Sequence, residues 1–161
     1  MRKESALALL TPFLFLCLSC ASTQEVKRPP SFRVAEVTLS KGVDERSPVA
    51  LPENPAVIFT TEDPQVVAFL SLKNLWGTHT LKWDWFDPRG TLYYSTGDFP
   101  IRPAEGKYMK EAAVWHKLTI RGDKAGKMIG QWTLNVYVDR EIAAVRTFAI
   151  TNAPRPAPRG R

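Results

Sequence analysis

Residues 131–138 place Trp132, Leu134, Val136 and Val138 on one face of an extended chain and Gln131, Thr133, Asn135 and Tyr137 on the other. A helix turns its faces over every 3.6 residues, so a period of two requires a strand with one dry side and one wet side. The same rhythm recurs upstream. Residues 65–73 put Val66, Ala68, Leu70 and Leu72 together; residues 78–86 set Leu81, Trp83 and Trp85 against Lys82 and Asp84; residues 112–120 align Val114, His116, Leu118 and Ile120. Shorter β-rich runs occupy 32–39, 56–61, which follows a proline-rich connection, and 91–95, and 142–150 returns from the 131–138 strand to end in Phe148 and Ile150. No stretch has a helical period, and no internal repeat is present.

Turn chemistry separates these runs. Asp87-Pro88-Arg89-Gly90 is a strong turn, because proline presets φ at the second position and glycine accepts the closing geometry. Asp139-Arg140-Glu141 is a tight connection, residues 97–106 are irregular, and 121–130 form a polar, glycine-containing loop. Seven or eight short strands with no helices to cover a parallel sheet predict an all-β fold, two antiparallel sheets packed face to face over residues 32–151. From Gln65 to Ile150 the chain resembles the immunoglobulin-like or fibronectin-III-like sandwiches of exported bacterial proteins. The resemblance is carried by Trp83-Asp84-Trp85-Phe86-Asp87-Pro88-Arg89-Gly90 and by Gly130-Gln131-Trp132, which opens the strand ending in Val136-Tyr137-Val138 and answered by Phe148-Ala149-Ile150. The cysteine pair of antibody-type domains is absent.

The N-terminus carries an address. Arg2 and Lys3 form a positive start, and residues 6–18 are uncharged and mostly apolar, too short to span a bilayer. Small residues follow at Ser19, Cys20 and Ala21. The segment Cys17-Leu18-Ser19-Cys20 resembles the bacterial lipobox, with Cys17 where leucine usually stands and Leu16 one residue before it. That resemblance implies a signal peptide over residues 1–19 and lipidation of Cys20. Ala21 in place of aspartate implies an outer-membrane or outer-surface location in a Gram-negative host. Ordinary cleavage after Ala21 would instead release a free domain. Residues 20–31, polar and closed by Pro29-Pro30, suit a flexible tether, and the Pro/Arg-rich residues 152–161 suit an extended or disordered tail.

Cys17 lies in the signal and Cys20 at its edge, so the domain that follows has no thiol for a disulfide, a metal or a nucleophile and depends on its apolar core. Of the formal charge of +6, Arg2, Lys3 and Glu4 account for +1 and the tail's Arg155, Arg159 and Arg161 for +3, leaving about +2 between them. A nucleic-acid partner is not expected; the tail could serve an anionic surface or act as a solubilising end.

Catalytic groups are sparse. The two histidines, His79 and His116, stand in no nucleophile–base frame; His116 lies on an apolar strand face and His79 is expected at a loop or edge. No closely spaced histidines or cysteines suggest zinc, Glu62-Asp63 and Asp84 with Asp87 read as turn and surface carboxylates, and no cofactor is expected. Trp83, Trp85 and Trp132 fall on dry faces and belong to the core. Trp76, Tyr94, Trp115 and Tyr137 remain as the candidate binding surface. The leading expectation is a membrane-tethered, non-catalytic envelope lipoprotein that binds another envelope protein. A carbohydrate-binding module using Trp76, Trp115 and exposed tyrosines is the alternative, and an envelope hydrolase with an unrecognised carboxylate site is the third.

Overall fold

The computed structural model describes residues 31–104 and 107–154. The signal, Cys20, the tether up to residue 30 and the tail arginines lie outside the described residues.

Ten strands build two sheets among the described residues: β1 (Ser31–Asp44), β2 (Leu51–Pro55), β3 (Ile58–Thr60), β4 (Gln65–Trp76), β5 (His79–Phe86), β6 (Leu92–Ser95), β7 (Phe99–Ile101), β8 (Met109–Thr119), β9 (Gly130–Val138) and β10 (Glu141–Thr151). One sheet has the order β2-β1-β4-β8; the other has β3-β10-β9-β5-β6, with β7 also paired to β5. Strands β1, β4 and β8 take the places of A, B and E in an immunoglobulin sandwich, and β5, β9 and β10 those of C, F and G. All pairings are antiparallel except that of β3 with β10. The fold is therefore an immunoglobulin-like β-sandwich.

With no cysteine among the described residues, aromatic packing fills the middle. Trp83, Trp85 and Trp132 are fully buried, as their alternation predicts. Phe148 meets three other rings, with centroids 5.7 Å from Phe59, 5.9 Å from Trp85 and 6.1 Å from Trp132. The Trp132 indole donates to Met128 O at 3.0 Å, and that of Trp85 to His116 Nδ1 at 3.1 Å. Trp83 Nε1 has no hydrogen-bond acceptor among the described residues.

The predicted turn at Asp87 forms: Gly90 N donates to Asp87 O, Asp87 Oδ1 accepts from the backbone N–H of Arg89 and Thr91, and Gly90 sits at φ 76°. The Arg89 guanidinium and these backbone donors hold the Asp87 carboxyl below its usual range. Gly130 has φ 135°, and a Cβ there would lie 2.9 Å from Pro88 Cβ, so this turn packs directly onto the start of β9.

Several details depart from the sequence expectations. Asp84 and Asp87, expected among turn and surface carboxylates, are 6 % and 4 % exposed, Asp87 within its turn and Asp84 accepting from Ser95 Oγ and paired with Lys82. Strands β2 and β7 were expected as a proline-rich connection and an irregular stretch; both contain proline, and β2 lies at the outer edge of its sheet, where a missing N–H is tolerated. Strand β4 is buried on both faces: Val67 and Phe69 point away from the inter-sheet core yet are buried, and Phe69 stacks on Trp115 of β8. His79, expected at a loop or edge, is the first residue of β5 and only 3 % exposed. Its Nδ1 lies 2.7 Å from Asp139 Oδ2 and its Nε2 3.1 Å from Trp76 O. Partial burial opposes ionisation of Asp139, but hydrogen bonds from His79 and the Thr80 N–H outweigh it and hold that carboxyl below its ordinary value.

Candidate functional site

A two-sheet sandwich has two lateral seams where the edges of its sheets face each other. The first seam here runs between β1 and β10. Strand β2 covers β1 only from Ser40 onward, and β3 covers β10 only from Ala149 onward. Ahead of those points both strands present bare edges. Glu36, Val37, Thr38 and Leu39 on one side, Arg146 and Thr147 on the other, and Pro55, Ala56 and Val57 at one end line a groove of about 390 Å³.

Backbone parity fixes what this seam offers. In an antiparallel strand the N–H and C=O of one residue point to the same side and alternate with the next. Leu39 O accepts from Ala56 N, away from β4, and Val37, two residues back, turns its carbonyl the same way. On β10, Ala149 N donates to Val57 O, away from β9, so Thr147 and Val145 also face outward. The Arg146 side chain starts on the core-facing side, with Phe148 and Ile150, and crosses the seam. Its Nε donates to Val37 O at 2.9 Å and its Nη1 to Val145 O at 3.0 Å. One guanidinium thus satisfies an outward carbonyl from each sheet, and an inward-pointing charge of this kind also discourages indiscriminate edge pairing.

Apolar side chains gather around the bare edge. Val57 is 65 % exposed, Ile58 61 %, Ile142 60 % and Val145 48 %. Ile142 stands opposite Tyr137 in the β9–β10 register, and Val57 and Thr147 also line a second hollow with Gln131, Phe148 and Ala149. Val145 stands opposite Asn135 and Ile58 opposite Ala149, so these side chains lie along β10 and its neighbours beside the seam.

The second seam lies between β8 and β6. Tyr94, the most open of the sequence candidates, stacks on His116 with centroids 5.4 Å apart and planes inclined by 11°. Because an indole can only donate, the Trp85–His116 bond makes Nδ1 an acceptor and leaves the proton of the neutral ring on Nε2. Burial pushes the His116 pKa down. Tyr93, Tyr94, His116, Lys117, Leu118, Thr119, Asp123 and Lys124 enclose a groove of about 480 Å³ there.

The four sequence candidates do not form one patch. Tyr94 belongs to the second seam, whereas Trp115 is half-buried against Phe69 on the outer face of its sheet. Tyr137 lies under Lys82 Nζ at 4.1 Å, beside the apolar strip of the first seam. Trp76 ends β4, where its carbonyl meets His79. Arg146, Val57, Ile58, Ile142 and Val145 carry no signal in the sequence, since their common place depends on contacts as distant as Arg146 with Val37. Among the described residues no group of three or more His, Cys, Asp or Glu is placed to hold a metal ion, and no helix is long and apolar enough to cross a membrane.

No protein family model matches the sequence, and no curated protein matches it. Solved structures with a similar backbone include the alkylpurine DNA glycosylase AlkC of Pseudomonas fluorescens bound to DNA containing an abasic-site analogue, at 9 % identity and a TM-score of 0.47, covering 74 % of this chain and 30 % of that one. An immunoglobulin-like protein of Pseudomonas aeruginosa is similar at 12 % identity and a TM-score of 0.45, covering 74 % of this chain and 96 % of that one.

Proposed function

We propose that this chain is an exported, non-catalytic envelope protein, anchored in a membrane through lipid on Cys20, whose immunoglobulin-like domain binds another envelope protein at the β1–β10 seam. The observation that carries the reading is the group of exposed Val57, Ile58, Ile142 and Val145 on and beside β10, whose edge β3 covers only from Ala149 onward. The signal-like N-terminus and the polar residues 20–31 support the anchor, which would hold the domain within reach of a neighbour. Each seam groove is lined by a single carboxylate, Glu36 or Asp123, which favours binding over two-carboxylate chemistry at those places.

The test is site-specific photocrosslinking in intact cells from position 57 or 145, with position 121 on the far loop as control. A single protein captured from the first two positions and not from the third supports the reading; equal capture from all three, or none, contradicts it. For the anchor, Cys20→Ala is expected to move the protein out of the membrane fraction, and unchanged partitioning refutes lipidation.

A second reading, glycan binding, is favoured by the open Tyr94 ring over His116 in a groove that also holds Lys117, Lys124 and Asp123. Retention of the protein on purified cell-wall glycan, lost in Tyr94→Ala and kept in Val145→Asp, would establish it in place of the first.

A further inference from the structure

We infer that the partner supplies an extended segment that adds to β10 as a strand, entering the β1–β10 seam and taking the place now held by the Arg146 guanidinium. The inference rests on the seam being the protein-binding surface and adds how the partner is held.

The outward backbone groups of Val145 and Thr147 repeat at the spacing of a β-ladder, and only another main chain matches a row of alternating donors and acceptors. The same edge already takes a strand where it can. Strand β3 pairs with Ala149, Ile150 and Thr151, and Val57 O receives the Ala149 N–H; an incoming segment would prolong that pairing back over Thr147 and Val145, as far as the irregularity between Ile142 and Ala144. Between the two sheets Arg146 already does in part what a strand would do, donating to one carbonyl on each side. A side chain can swing out to water, whereas a core residue could not, so the guard is removable.

The seam also dictates the character of the segment. Alternate side chains of the added strand would point over Val37, Leu39 and Ala56, which favours small or apolar residues there. The charged residues lining the groove are Glu36 and Arg146, one of each sign, so the groove selects no net charge. The other long bare edge, that of β8, carries Lys110, Glu111 and Lys117, the charged pattern by which sheets discourage added strands.

The experiment uses a displayed library of peptides of about eight residues, within the ordinary range for a strand, selected on the full-length protein. Selected peptides are expected to slow amide exchange at Val145 and Thr147. Thr147→Pro is expected to lower their affinity at least about tenfold, because it deletes one outward donor and covers its neighbours. Proline is tolerable at this position since its N–H does not face β9, and the amide-exchange result on the unaltered domain stands even if that variant folds poorly. Arg146→Ala is expected to bind at least as tightly as the parent; loss of binding there would overturn the displacement. Peptides weakened by Val57→Asp but indifferent to Thr147→Pro, with no protection at Val145 or Thr147, would overturn strand addition while leaving the protein-binding surface in place. Peptides that map to Tyr94 and His116, or no selected peptide at all, would overturn both. A concentration-dependent dimer abolished by Thr147→Pro would overturn the separate partner in favour of a second copy of this chain.

Discussion

Trp83, Trp85 and Trp132 offer a comparison in which residue type and burial are constant and one hydrogen bond varies. All three side chains are fully buried; Trp85 and Trp132 donate to His116 Nδ1 and Met128 O, while Trp83 Nε1 has no acceptor among the described residues. Replacing any of them by phenylalanine removes one ring's worth of buried surface and leaves a partial cavity, a loss of roughly 2 kcal/mol. At Trp85 and Trp132 the substitution also breaks a hydrogen bond, adding about 1 kcal/mol. At Trp83 it removes a donor whose desolvation is uncompensated, returning about 1–3 kcal/mol. Trp83→Phe should therefore be nearly neutral, within about 1 kcal/mol of the parent, and the other two should cost about 3 kcal/mol. Urea unfolding followed by far-ultraviolet circular dichroism reads this directly: a gap of at least about 2 kcal/mol separates the midpoints by at least about 1 M at a typical slope for a small domain. If Trp83→Phe costs as much as either of the others, the orphan indole and the ranking built on it are wrong.

Phe148→Ala removes the ring on which Phe59, Trp85 and Trp132 converge and is expected to cost about 3–5 kcal/mol in the same assay, close to unfolding the domain. Gly130→Ala meets both a φ of 135° and the Pro88 ring, so a loss of at least about 2 kcal/mol is expected; an unchanged midpoint would mean that the Asp87–Gly90 turn does not pack there. Burial lowers the His116 pKa, so the unfolded chain takes up that proton first: stability contributed by the neutral ring is present above the ordinary value of 6.5 and falls as pH drops below it. His116→Gln, which keeps an acceptor for Trp85, should flatten that part of a stability–pH curve. Asp139 behaves as a carboxylate with a lowered pKa, so its contribution is present above the ordinary value of 3.8 and is lost on further acidification; Asp139→Asn should shrink that acid-side loss.

Much of the sandwich was legible because it is local. Period-two alternation marked β4, β5, β8 and β9, and the dry faces of β5 and β9 identified the buried tryptophans before any packing was known. Strands β2 and β7 escaped because their prolines mimic connection, and only pairing with β1 and β5 makes them strands. His79 escaped for a different reason, since nothing near it in sequence announces Asp139 as its partner. The seam was the least legible part. Arg146 looks like any charged residue in a half-exposed strand until β1 is placed beside β10, and Val57 and Val145 look like scattered surface residues until they flank the same edge. Tyr94 was found as an open aromatic, but its stacking on His116 requires the two sheets to meet.

Amide exchange across residues 141–148 of the membrane-extracted, full-length protein, compared with the isolated domain at equal concentration, tests the account most directly. Val145 and Thr147 are expected to exchange freely in the isolated domain and to be protected when the protein is extracted with its neighbours, with Thr147→Pro losing the neighbour. Equal exchange in both samples, or protection confined to the Tyr94–His116 seam, would contradict it.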